Sequence, residues 1–231
     1  MALLTLEDIT KTYKQGELLV HALQGIHLNV EEGEFVALVG PSGSGKTTLL
    51  NIIGGLDTPS AGTAQLQGTD IAKLKEVERS DFRLFELGFV FQAYNLVPVL
   101  SALENVELVM VLQGLSAAES RQRAEHYLQL VGLEKEQQRR PSALSGGQQQ
   151  RVAVARALAA GPRLVLADEP TANLDSENAG ALLDLMHQLS HEEKTTFIFS
   201  THDERVMARA ERIITLQDGK IISDVRTNKH D

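Results

Sequence analysis

The chain has 231 residues, no cysteine, a formal net charge of −9 and a pI near 5.3. That excludes disulfides, thiolate metal sites and cysteine nucleophiles, and it argues against nucleic acid as the main partner, because duplex phosphates call for a clustered basic face. The length suits one α/β core with a small satellite and is too short for two full domains, while no apolar run approaches the roughly 18–20 residues of a membrane span. The opening Met1-Ala-Leu-Leu-Thr-Leu-Glu7 has no basic n-region and reads as a strand, so a cytoplasmic chain with no processed leader is expected. The seven histidines show no paired metal-ligand spacing.

Residues 3–9 alternate apolar and polar as an edge strand does, residues 27–30 read as its antiparallel neighbour, and a polar loop is expected over 11–24. Tyr13 falls in that loop, where its ring could stack on an adenine face or cap the sheet edge. The apolar run 35–39, the loop Gly40-Pro41-Ser42-Gly43-Ser44-Gly45-Lys46-Thr47-Thr48 and the apolar run 49–53 give strand, loop and helix. Turn residues follow at 54–62, then a short strand at 63–66 and one or two short helices over 71–85. A buried strand is predicted at 87–91, with Gln92 at its end.

From Ser101 the pattern is helical. Ser116 and Glu119 form a capping box for a helix reaching Val131, which Gly132 stops. The helical block, 93–141, interrupts an alternating strand and helix order. It reads as an insertion into a nucleotide core made of 1–92 and 142–231. Beyond it come a helix after Ser145, a buried strand at 163–168, a helix over 176–189, a buried strand at 195–200, and a hairpin of 212–216 with 220–222 on an Asp218-Gly219 turn. A polar tail is expected from Val225.

The loop at 40–48 answers one physical problem, the wrapping of a polyphosphate. Its glycines let backbone N–H groups turn inward, and the following helix presents its positive end to the same phosphates. Lys46 would neutralise the β- and γ-phosphates, and the Thr47 hydroxyl would ligate Mg²⁺. Asp168 and Glu169 end a buried strand, where open α/β sheets bind ligands. Asp168 suits the outer sphere of Mg²⁺, and Glu169 is the candidate that polarises the attacking water. His202 ends the next buried strand as a γ-phosphate contact, and Gln92 at the analogous end can ligate Mg²⁺ or orient water. Leu144-Ser145-Gly146-Gly147-Gln148 opens a capped helix with two glycines in its first turn: either a second phosphate-binding helix end or a plain cap.

Taken together these motifs resemble the ATPase subunit of an ATP-binding-cassette (ABC) transporter, over nearly the whole chain. The resemblance implies an α/β P-loop NTPase fold: a mainly parallel sheet with helices on both faces, an N-terminal antiparallel β subdomain and the inserted helical subdomain. It makes residues 40–48 the Walker A loop, Gln92 the Q-loop glutamine, Leu144 to Gln148 the signature, Asp168-Glu169 the Walker B end and His202 the switch histidine. Asn173-Leu174-Asp175 resembles the D-loop, and Tyr13 matches the A-loop aromatic that stacks on adenine. ATP and Mg²⁺ are the implied ligands, and a second copy of the chain is the implied partner. Each signature then completes the ATP site on the other subunit's P-loop.

Residues 53–59, 87–92, 95–98 with 102–106, and 166–171 resemble in particular the LolD and MacB branch of lipoprotein release, macrolide export and mechanotransmission; Ala172 stands where LolD-like chains carry glycine. An integral membrane transporter subunit is thus an expected partner, with the chain peripheral on the cytoplasmic face of the inner membrane and not inserted in it. Leu96, Val97, Val99 and Leu100 are expected to form a partner groove or ordinary core. The energising subunit of an importer, or a soluble ABC-type ATPase acting on nucleic acid, are the alternatives.

Overall fold

The structure, a computed structural model, describes residues 2–16, 18–202 and 207–227. Met1 of the expected first strand and residues 228–231 of the expected tail lie outside them. At its centre is a six-stranded sheet in the order β10-β9-β3-β8-β7-β6. Its strands are β3 (Phe35–Val39), β6 (Leu87–Val90), β7 (Leu164–Ala167), β8 (Thr196–Thr201), β9 (Arg212–Gln217) and β10 (Lys220–Arg226). All neighbours pair in parallel except β9 and β10, an antiparallel hairpin.

These strands read as unbroken apolar runs because both faces are covered. Phe35, Ala37, Val39, Val165, Ala167, Phe197 and Phe199 point into one core, beneath α3 (Ala102–Leu112), α4 (Ala117–Leu130), α5 (Gly146–Ala159) and α6 (Ser176–Glu193). Val36, Leu38, Leu164, Leu166 and Ile198 point into the other. That second core is closed by α1 (Lys46–Ile53) and by an antiparallel sheet of β2, β1, β4 and β5 in that order. Those strands are β1 (Ala2–Gln15), β2 (Leu18–Glu31), β4 (Ala61–Leu66) and β5 (Thr69–Asp70). The remaining helix, α2 (Glu76–Glu86), leads into β6.

Three expectations for the strands need correction. Residues 3–9 do not form an edge strand, because β1 pairs with β2 on one side and β4 on the other. The polar segment 11–24 is not a loop but the far end of a long hairpin, with Thr12 opposite His21 and Tyr13 opposite Val20. It looked like loop because its residues near the turn are exposed on both faces, so no apolar alternation marks them. Likewise the tail from Val225 begins later, since β10 runs to Arg226.

Helix ends follow local chemistry. Ser101, Ser116 and Ser145 each cap their helix, accepting from the amides of Glu104, Glu119 and Gln148, whose side chains return a bond to the cap amide. Asn105, fully buried, binds the backbone of Val97, Leu100 and Ser101 and so pins the approach to α3. No helix among the described residues is long and apolar enough to cross a membrane.

Candidate functional site

The loop between β3 and α1 is shaped by glycines at positions where a side chain cannot stand. Gly40 has φ +149°, and a Cβ there would lie 2.1 Å from the Leu216 carbonyl oxygen. Gly45, the residue before α1, has φ +105° and would meet the Ala22 carbonyl at 2.6 Å. Lys46 is 6% exposed, and its Nζ donates to the carbonyls of Gly40 at 2.8 Å and Pro41 at 3.0 Å, so its charge is held at the loop itself. The buried Ser44 hydroxyl has no protein partner. A ring of glycine-freed amides, a lysine and a spare hydroxyl at a helix N-terminus is a cradle for phosphate oxygens.

Beside it, β7 and β8 deliver the acids. Asp168 Oδ1 accepts from Thr47 Oγ1 at 3.2 Å and from Ser200 Oγ at 2.6 Å, which ties the loop helix to two adjacent strand ends. Ser200 also accepts from the Glu169 amide at 2.9 Å. Glu169 itself sits at φ +45°, a left-handed turn unusual outside glycine, which swings its carboxylate off the strand line. That carboxylate meets His202 Nδ1 at 3.2 Å. Parallel pairing of β7 with β8 therefore brings Asp168, Glu169, Ser200 and His202 to one sheet edge next to Thr47. Ser200 is a site residue that sequence reasoning missed; the one available signal was a hydroxyl inside the apolar run before His202.

Gln92 follows β6, and its carbonyl accepts from Asn173 Nδ2 at 2.8 Å. Next to it, Tyr94 and Asn95 turn at φ +60° and +49°, and Arg156 of α5 clamps both carbonyls at 2.9 and 2.6 Å. Burial holds the Arg156 guanidinium below its ordinary pKa. The helix that begins at the glycine signature thus grips the segment after Gln92. Sequence inspection did not single out Arg156.

The signature end is enclosed by other parts of the chain. The Tyr94 hydroxyl lies 2.8 Å from where a Gly146 Cβ would stand, and Asn178 and Leu174 border Gly147. Asp175 caps α6, accepting from the amides of Glu177 and Asn178, and those bonds, the one from Asn178 foremost, hold its carboxyl below the usual range. The neighbours of Gly40 and Gly45 are instead Leu216, Ser44, Ala22 and Leu23. Signature and P-loop have disjoint surroundings within one chain.

Tyr13 is strand, not loop, and its hydroxyl donates to Asp57 Oδ2 at 2.7 Å. Lys11 Nζ reaches the other oxygen at 2.6 Å and lies 4.9 Å from the tyrosine ring centroid. Burial alone would raise the Asp57 pKa, but the bonds from Lys11 and Tyr13 outweigh it and hold the carboxyl low. Burial, then the bond to Asp57, raises the Tyr13 phenol. The ring is fixed at the rim of the P-loop helix, whose Thr48 hydroxyl also interacts with the phenol.

One open expectation is decided and one is corrected. Of the two readings of 96–100, the groove is not formed: Leu96 packs against the main core, as the other reading had it, while Val97 is held by Asn105 and Val99 stands 69% exposed. A groove of about 520 Å³ lies instead against α2, β6 and α3, lined by Leu84, Leu87, Phe91, Leu108, Val109 and Leu112 among others. The histidines do include a pair at ligand spacing, His187 and His191, which share a face of α6 because four residues make about one turn.

Fold and loop together define a P-loop nucleoside triphosphatase. A family model described as ABC transporter matches residues 23–172. The macrolide export ATP-binding/permease protein MacB of Brucella melitensis is 48% identical over 229 residues, 99% of this chain. The chain spans only 35% of that relative's length. The ABC transporter ATP-binding protein MJ0796 of Methanocaldococcus jannaschii is 46% identical over 223 residues, covering 95% of each. A solved dimeric structure of a post-hydrolysis state of the ATP-binding cassette MJ0796, bound to ADP and Pi, is 44% identical with a TM-score of 0.90, over 98% of this chain and 100% of that one. The chain belongs to the ABC transporter family.

Proposed function

We propose that two copies of this chain pair head to tail on ATP, and that closing and reopening of the pair drives a membrane partner of the LolD and MacB kind. One observation carries the reading: the glycine-opened, serine-capped end of α5, a helix end able to take a phosphate, has surroundings disjoint from those of the P-loop. A helix end of that kind is of use to a nucleotide held by another subunit, with Ser145 and Gly147 of one copy facing the P-loop of the other. The dimeric state of the solved MJ0796 cassette supports pairing of this chain with a second copy.

Within each half, Gly40 to Thr48 wrap the phosphates and Tyr13 offers its ring to the adenine. Thr47 Oγ1 and Asp168 Oδ1 are hard oxygen donors 3.2 Å apart, with Gln92 at the neighbouring strand end, so the residues suit Mg²⁺. When bound, that ion neutralises charge on the β- and γ-phosphates. Glu169 orients the attacking water and takes up its proton, His202 holds the Glu169 carboxylate and contacts the γ-phosphate, and Asn173 to Asp175 report across the interface. The groove between α2 and α3 receives a short helix of the membrane partner, which holds the chain at the cytoplasmic face. Because Arg156 of the signature helix clamps the segment after Gln92 beside that groove, closure is passed to the partner as a rigid movement.

Glu169→Gln tests this. It removes the proton acceptor but keeps the fold, so turnover should fall at least a hundredfold while ATP shifts the chain to a dimer on size-exclusion chromatography. Normal turnover, or a monomer at saturating ATP, would sink the proposal.

A further inference from the structure

A second cluster of ligating side chains lies away from the P-loop. His187 and His191 leave one face of α6, and Glu211, the residue before β9, meets them both. Glu211 Oε1 is 3.1 Å from His187 Nε2 and 2.9 Å from His191 Nε2, while the two Nε2 atoms are 3.2 Å apart. The three atoms form a nearly equilateral triangle.

Protons cannot satisfy all its edges. If both imidazoles carry hydrogen on Nε2 and donate to the carboxylate, two N–H groups face one another; if one gives up that hydrogen to accept from its neighbour, its lone pair faces the carboxylate. A cation bound to all three removes the conflict. Tetrahedral coordination with metal–donor bonds of about 2.0–2.1 Å sets donor–donor edges of about 3.3 Å, slightly longer than these. At that bond length an ion sits about 1 Å off the plane of the triangle, reached without rebuilding either element.

The ligands are also held in advance. The His187 ring stands edge-on to Phe35, at 5.2 Å between centroids and 85° between planes. Glu211 is fixed by its own backbone, whose amide donates to the Phe35 carbonyl at 3.1 Å and whose carbonyl accepts from the Thr227 amide at 2.7 Å. His191 is 52% exposed, so one side of the triangle faces solvent and leaves a fourth position for water.

We propose that His187, His191 and Glu211 bind one divalent transition metal of the zinc class. Two imidazoles and one carboxylate suit Zn²⁺, Co²⁺, Ni²⁺ or Cu²⁺, whereas Mg²⁺ and Ca²⁺ favour an all-oxygen set. The site is separate from the nucleotide: Phe35 begins β3 and Gly40 follows its end, and five strand residues span about 16 Å. The ion clamps the C-terminal part of α6 to the start of β9, at the opposite end of α6 from its Asp175 cap.

The test uses full-length protein stripped of metal with a chelator and kept free of nucleotide. Calorimetric titration with Zn²⁺ should give one equivalent per chain, and Co²⁺ should give the intense visible absorption of a tetrahedral site. At a hundredfold excess over Kd the melting temperature should rise by about 5–10 °C. His191→Ala and Glu211→Gln should each weaken Zn²⁺ binding at least tenfold and abolish that rise, whereas His126→Ala should leave both unchanged. The metal-free melting temperature of each variant reports that it is folded, and His191→Ala changes a half-exposed ring. Equal affinity in the parent and in His191→Ala, or no binding of Zn²⁺ and Co²⁺ by the parent, would overturn the proposal.

Discussion

Replacing Ser200 with alanine tests how the acids are held. The Ser200 hydroxyl donates to Asp168 at 2.6 Å and accepts from the Glu169 amide at 2.9 Å, so a single atom fixes both carboxylate residues. Loss of a hydrogen bond to a charged acceptor costs about 1.5–3 kcal/mol, and a partly buried N–H without a partner adds about 1. Thr47 remains on Asp168 and water can reach the site, so the net loss should be about 2–3 kcal/mol, or a fall in Tm of about 5–10 °C for a chain of this size. On the role proposed for Glu169, the larger consequence is catalytic. Glu169 occupies φ +45°, at a cost of about 1–2 kcal/mol that the amide bond to Ser200 helps offset. Freed of that bond the backbone relaxes towards an extended conformation, and a carboxylate displaced by about 1 Å costs about a hundredfold in rate. In steady-state phosphate-release assays kcat should fall roughly 30- to 100-fold, while KM for ATP stays within about threefold because the P-loop is untouched. An unchanged kcat with a lowered Tm would make Ser200 structural only, and a loss confined to KM would refute the positioning role.

Gly40→Ala puts a Cβ 2.1 Å from the Leu216 carbonyl at a φ of +149°, so the cradle cannot keep its shape; nucleotide affinity should drop at least a hundredfold and stability by about 3 kcal/mol, and parental affinity in an equilibrium titration would contradict the geometry. Arg156→Lys loses the paired grip on the Tyr94 and Asn95 carbonyls. Amide exchange over residues 93–96 should quicken about tenfold or more, and unchanged protection would show that the clamp does not hold this segment. Burial, then the bond to Glu193, pushes the Tyr127 phenol up to about 12 from 10.0. The unfolded chain therefore loses this proton first, and roughly 2–3 kcal/mol of stability, fully present below pH 10, should be lost as pH rises towards about 12. Tyr127→Phe should remove that part of the alkaline dependence; a parental slope in denaturant midpoints between pH 10 and 12 would count against it.

Features set by neighbours in the chain were readable without coordinates. Apolar runs of four to six residues covered on both faces announced β3, β6, β7 and β8, and serine caps with Glu or Gln three residues on marked the starts of α4 and α5. The loop at 40–48 could be found because backbone conformation, charge and helix start all lie within nine residues. The far end of the β1–β2 hairpin could not, because strands exposed on both faces carry no periodic signal and are held by pairing with each other. Nor could the groove against α2 and α3, since its walls come from segments separated by turns and strands.

By itself the sequence determined the strand, loop and helix order over residues 35–53 and placed candidate acids at the strand end at 168–169, because each of these depends on local backbone preference and on chemistry carried in short motifs. Only the tertiary structure decided which of those residues meet. Parallel registration of β7 with β8 sets Ser200 between Asp168 and Glu169, hairpin pairing brings Tyr13 and Lys11 onto Asp57, and the docking of α6 on β3 and β9 closes His187 and His191 around Glu211. Those contacts join residues from 20 to 46 positions apart, and strand register and helix docking, which no short window of sequence specifies, create them.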